Sequence, residues 1–203
     1  MGTAFHQGAL DNFCALYAVV NAFCRTHALT AFQARRMFHD TLLRLAQDDE
    51  VFTAAVTAAT DYTGIVHDML EWYGAGLFPL HVQSAFADEP AGESDFWSMA
   101  ADWLAAGARR TMLLRFMRYV PGQDAPVVRH WTAADRLLGD SLFLLDSSRD
   151  SGALHVLLRH QVTCFRERVN EERFVRIIPS SCLLLQGLDA PPPRGMSISR
   201  PRR

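Results

Sequence analysis

The hydrophobic pattern of this chain changes period near its middle. From Cys14 to Cys24 apolar residues continue over three turns of helix, alanine favours that state, and Asp11-Asn12 stand just before as side-chain caps. A buried helix starting near Phe13 is predicted. Residues 30–46 place Phe32, Met37, Leu42, Leu43 and Leu45 roughly on one face and leave Arg35, Arg36 and Arg44 for water, which predicts an amphipathic helix. Shorter helices are predicted over 51–59 and 65–73, the second capped by Thr63 and stopped by Gly74 and Gly76. From Phe78 the texture alternates. Residues 78–86 read as a strand, 87–94 as a polar Gly/Pro-bearing loop, and 95–106 as one more helix. Strands are expected over 111–118, 127–134, 141–146, 154–160 and 174–178. The pattern predicts an α+β fold with a helical first half and an antiparallel sheet in the second.

Length and composition narrow this to one domain. At 203 residues, 49% hydrophobic and 21% charged, the chain can build one well-packed core, assigned to residues 1–188. Residues 189–203 mix Pro with Arg, hold too few apolar residues to pack, and are expected to be disordered. The net charge of -2 argues against a general nucleic-acid or anionic-membrane binder, which needs surplus cation to meet phosphate. All 20 basic residues are arginine, and lysine is absent. A GC-rich coding sequence accounts for that bias, with avoidance of lysines that could be acylated or ubiquitinated as the sharper alternative.

Four cysteines (Cys14, Cys24, Cys164, Cys182) form no CxxC pair and no Cys/His cluster, so neither a zinc site nor a disulfide framework is indicated. No metal or cofactor is expected. The start of the chain lacks a basic, then apolar, signal sequence, and no stretch approaches the roughly 18 apolar residues of a membrane helix. The expectation is a cytoplasmic protein, or one exported without an ordinary signal peptide.

Within this frame one constellation carries chemistry. A thiol attacks as thiolate, and the first turn of a helix, with unsatisfied N–H groups and a positive dipole end, favours that form; Cys14 sits there. A hairpin turning at residues 137–140 would set Asp146 beside His130, so that the carboxylate fixes the imidazole's tautomer and orientation. His130 then serves as base and acid. The developing oxyanion would rest on the Cys14 N–H and on the side chain of Gln7, seven residues upstream. Cys24, Cys164 and Cys182 read as buried thiols, and Trp97 and Trp103 as core. Asn21, two turns after Cys14, reads as a buried amide tying the helix to a neighbouring loop. His6 and His67 are the remaining histidines expected to fall near the site without a role in it.

Gln7, then Cys14 opening a helix, then His130-Trp131 on a strand and Asp146-Ser147 closing the next, resembles the papain-like cysteine peptidase superfamily. It is similar above all to compact bacterial members, the double-glycine leader peptidases and the staphopain-like and effector proteases, and more distantly to Josephin deubiquitinases. The resemblance spans Gln7 to Ser147, with generic helices between Cys24 and Phe78, and departs from many members in having Cys14-Ala15 rather than Cys-Gly or Cys-Trp. It implies a papain-like fold, Cys14 as nucleophile, His130 as base and acid, Asp146 as orienting group and Gln7 in the oxyanion hole. A protein or peptide substrate follows, with an inhibitor, immunity or chaperone protein as a further partner, in a bacterial effector or toxin. Deamidases, transglutaminases and arylamine acetyltransferases share the triad, and a non-catalytic module whose cleft binds a peptide is the rival from another class.

Overall fold

A computed structural model describes residues 12–57, 60–86, 93–148 and 154–189. It is α+β. Four helices come first, α1 (Cys14–His27), α2 (Ala31–Leu45), α3 (Asp49–Val56) and α4 (Thr63–Gly74), followed by strand β1 (Leu80–Ser84) and helix α5 (Glu93–Ala105). The remainder is mostly sheet: β2 (Arg110–Arg118), β3 (Val128–Leu138), β4 (Ser141–Leu144), β5 (Val156–Leu158), β6 (Val162–Thr163), β7 (Val175–Ile177) and β8 (Leu183–Gly187). The main path runs β1-β8-β2-β3-β4-β5 and is antiparallel throughout, while β7 pairs β2 beyond the end of β8. One pair departs from the expectation of a purely antiparallel sheet, because β6 lies parallel to β7.

Local chemistry explains most boundaries. Thr30 and Gln33 form a reciprocal capping box at the start of α2, and Asp48 caps α3 by accepting from Glu50 and Val51. Two expected caps are different. Phe13 occupies the position before α1 and makes no side-chain cap, while Asn12 donates to the Val56 carbonyl at 2.8 Å; Asp11 lies outside the described residues. Tyr62, in the left-handed region, precedes α4, and the side chain that meets the helix start is Asp61, which accepts from the Thr63 N–H at 3.0 Å.

The sheet is covered on both faces. On one, Ala15, Leu16, Val19 and Phe23 of α1 pack with Ile65, Val66 and Met69 of α4 against Leu113, Trp131, Ala133, Leu183 and Leu185. On the other, Phe96, Trp97 and Ala100 of α5 pack against Met112, Leu114, Phe116, Leu142 and Ile177. Strand β8 went unanticipated because Leu183-Leu184-Leu185 shows no alternation. Inserted between β1 and β2, it sends Leu183 and Leu185 to one core and Leu184 to the other, and a strand buried on both faces has no polar side to mark its period.

Helix α1 is pinned at its C-terminal end. Arg25 Nε donates to Asp135 Oδ1 at 2.8 Å, His27 Nε2 meets the Pro79 carbonyl at 3.1 Å, and Arg109 Nε donates to the Thr26 carbonyl at 3.1 Å. Asp135 is the residue displaced at an irregularity between Ala134 and Arg136, and such bulges re-aim side chains. Gly187 of β8 lies directly under this end: a Cβ there would stand 2.5 Å from the Thr26 carbonyl oxygen, backbone that cannot swing aside. Gly187→Ala is therefore expected to destabilise the protein by about 1–3 kcal/mol through forced separation of α1 and β8, read as a lowered denaturation midpoint. An unchanged midpoint would show that this approach is slack.

Candidate functional site

Cys14, His130 and Asp146 come together at the N-terminal end of α1. Cys14 is the first residue of the helix, where the early N–H groups lack intrahelical acceptors and no acidic side chain stands in the first turn. Its thiol lies near enough to the His130 ring to raise the pKa of that imidazole. His130 Nε2 lies 3.2 Å from Asp146 Oδ1, and the same oxygen accepts the Ser148 N–H at 2.7 Å. With Nε2 turned to the carboxylate, Nδ1 is the ring nitrogen left for the thiol. All three side chains are nearly enclosed, at 7%, 7% and 2% exposure in chain order.

The His130–Asp146 contact arises by a different route from the mirror-image hairpin. The turn is the two residues Gly139-Asp140 between Leu138 and Ser141, with Gly139 at φ 55, a conformation glycine adopts without steric cost. The ladder shifts between Ala134 and Arg136 and stops at Leu144, and the partner of His130 across the sheet is Phe116 of β2. Asp146 instead belongs to the segment that leaves β4, where the Leu145 N–H still donates to the Ala133 carbonyl at 2.7 Å. Its side chain folds back onto His130 from there.

Two residues hold this exit segment. Asn21, 1% exposed, donates from Nδ2 to the Leu145 carbonyl at 3.1 Å, so the buried amide anticipated two turns after Cys14 ties α1 to the residue preceding Asp146. The Ser148 N–H orients the carboxylate from the other side, a contact not anticipated and one that the Asp146-Ser147-Ser148 turn chemistry could have suggested. Phe116 packs its ring 5.4 Å from that of His130.

The charge state of His130 follows from its surroundings. Burial disfavours the imidazolium, but hydrogen bonds and charge from Asp146 and Cys14 outweigh it and push the His130 pKa up to about 10. At neutral pH the ring is thus cationic between two acidic groups. Burial raises the Cys24 thiol to about 11 and that of Cys182 well above the usual thiol range, and Cys164 is buried.

Other expected positions fall elsewhere. Gln7 and His6 lie outside the described residues, as does residue 87–92 loop structure and the tail from 190 on. Trp97 is core, and Trp103 is half-buried with its indole N–H on the Thr111 carbonyl. His67 lines a groove with His81 between α4 and β1. The loop after β2 borders a hollow with residues 166–171, Arg166 stacking over Tyr119 at 4.7 Å. Among the described residues no His, Cys, Asp and Glu group could hold a metal ion, and no helix is long and apolar enough to cross a membrane.

Compared with known proteins, the sequence matches no protein-family model and no curated protein. The reading of the site therefore stands on its residues and their geometry.

Two outcomes are expected. Removing the Asn21 amide leaves the half-buried Leu145 carbonyl without this donor, so Asn21→Ala should cost about 1–3 kcal/mol of stability in a denaturant titration; no loss would mean that the tie is dispensable. Because the folded pKa of His130 lies above its ordinary 6.5, its charge stabilises the fold fully below pH 6.5, progressively less as pH rises, and no longer above about pH 10. The stability gap between wild type and His130→Gln should accordingly shrink between those limits. A gap that widens with pH would contradict the assignment of a stabilised imidazolium.

Proposed function

We propose that this protein is a thiol-dependent amide hydrolase of papain-like architecture, a cysteine protease acting on a protein or peptide. The observation that carries the reading is the Cys14–His130–Asp146 chain of contacts at the start of a buried helix. The imidazolium beside the thiol favours thiolate, which attacks the substrate carbonyl carbon. The tetrahedral oxyanion rests on the Cys14 N–H, whose helix-start geometry supplies a preorganised donor, and Gln7 is assigned as the second donor on the resemblance alone. His130 gives its proton to the leaving amine, becoming neutral while a thioester joins substrate to Cys14. It then takes a proton from water, which attacks the thioester and releases the acid. Asp146 keeps Nε2 engaged throughout, so Nδ1 stays aimed at sulfur and leaving group.

The assignment of substrate to a protein or peptide, and of the protein to a bacterial effector or toxin, comes from the superfamily resemblance. A peptide digest incubated with the full-length protein should yield new N-termini by mass spectrometry. Cys14→Ala should yield none while keeping the wild-type circular dichroism spectrum, and Asp146→Asn should slow cleavage by about 10²- to 10⁴-fold. Glutamine or asparagine converted to acid without chain cleavage would replace the protease by a deamidase with the same triad. Cleavage persisting in Cys14→Ala would overturn the mechanism.

A further inference from the structure

We infer that Thr132 is a positioning residue of the site, holding the second carboxylate oxygen of Asp146 through one enclosed water molecule. The inference rests on the proposed function and extends its machinery beyond Cys14, His130 and Asp146. The Leu145 N–H donates to the Ala133 carbonyl at 2.7 Å, which carries the register of Ala134 with Leu144 one step past the end of the ladder. One step further, the position facing Asp146 is Thr132. Strand alternation puts Thr132 on the same face of β3 as His130, and their ladder partners on β2, Leu114 and Phe116, both belong to the core that includes α5. Asp146 thus faces two residues of one strand surface: His130 diagonally, at 3.2 Å through Oδ1, and Thr132 across from it. Facing residues of an antiparallel pair stand roughly 4.5–5.5 Å apart at Cα.

The hydrogen bonding of the two facing residues is incomplete in a matching way. Asp146 Oδ1 accepts the Ser148 N–H at 2.7 Å and lies against His130 Nε2, while Oδ2 is sealed from solvent and has no partner among the described residues. Thr132 is 1% exposed, and its Oγ1 is likewise sealed and unpartnered. The remaining buried side-chain oxygen in that condition is Ser147 Oγ, next along the chain, so all of them fall where the chain leaves β4. Elsewhere among the described residues the buried serine and threonine hydroxyls are bonded: Thr26 to the Ala22 carbonyl, Thr41 to Met37, Thr111 to Ala134, Ser181 to Ile178, and Thr163 to the Glu93 carboxylate. A buried polar atom without a partner is costly, most of all on a carboxylate. Because Oδ2 and Oγ1 do not bond each other directly, the link runs through water. One molecule there donates to Asp146 Oδ2, accepts the Thr132 hydroxyl proton and keeps a second hydrogen for Ser147 Oγ; buried waters make about three such bonds. Held at both oxygens, the carboxylate resists turning, and the His130 ring keeps the orientation that leaves Nδ1 for the thiol.

The probe is iodoacetamide near pH 6, with alkylation of Cys14 in the full-length protein followed by peptide mass spectrometry. Thr132→Val keeps the side-chain shape and removes the hydroxyl, and should slow Cys14 about three- to tenfold. Thr132→Ser should restore the wild-type rate. In an Asp146→Ala background Thr132→Val should slow the reaction no further, because the hydroxyl acts only through the carboxylate. Each variant is compared with wild type by circular dichroism, and if Thr132→Val does not fold, Thr132→Ala against Thr132→Ser reads the same difference. A crystal structure should show a water within hydrogen-bond distance of Asp146 Oδ2 and Thr132 Oγ1. A Thr132→Val rate equal to wild type, a slowing that persists undiminished beside Asp146→Ala, or no water between the two oxygens overturns the positioning role and leaves the proposed function standing. Cys14 reacting no faster than Cys164 in the wild type overturns the proposed function itself, and this inference with it.

Discussion

The structure depends on how helix α1 is fixed against the sheet. Its interior face is mostly apolar and buried, with Ala15, Leu16, Val19 and Phe23 at 0% exposure. Burial alone would let a helix slide or rotate, since the hydrophobic effect has no direction. Direction comes from the polar ties at Asn21, Arg25, Thr26 and His27, and from Gly187, which lets β8 approach the helix backbone. Once the C-terminal half is pinned, the position of the first turn follows, and with it that of Cys14.

The same ties link the helix that opens with Cys14 to the segment that carries Asp146. Asn21 touches the residue before Asp146, while Arg25 grips the bulge that ends the regular β3–β4 register. Cys14, His130 and Asp146 are thus set by one helix, one strand and one exit segment that are bonded to each other. Their mutual electrostatics add a further coupling, because the imidazolium is favoured only while both acidic neighbours remain in place.

Much of this was legible in the sequence. The amphipathic stretch at residues 30–46 corresponds closely to α2, because it has one clear periodicity and its own capping chemistry, and the strand expected over 111–118 matches β2. Strand β8 was hidden by burial on both faces. The cap of α4 was misassigned because Asp61 reaches the helix across Tyr62, whose left-handed backbone no pattern signals. For the site, residue order suggested the grouping of Cys14, His130 and Asp146, but the assumed symmetric register did not hold. The residue at the bulge, Asp135, pairs with the distant Arg25, and a local hairpin argument has no access to such a contact. Asn21 was recognisable as a buried tie from its helical position, and its partner Leu145 emerged only from the packing.

The central proposal is that Cys14 acts as a nucleophile assisted by His130 and Asp146. Its most direct test is the rate at which each of the four cysteines reacts with iodoacetamide near pH 6 in the folded protein, resolved by peptide mass spectrometry. The account predicts that Cys14 reacts fastest, well ahead of Cys24, Cys164 and Cys182, and that His130→Ala removes this advantage. Alkylation of Cys14 as slow as that of buried Cys164, or unaffected by His130→Ala, would contradict it.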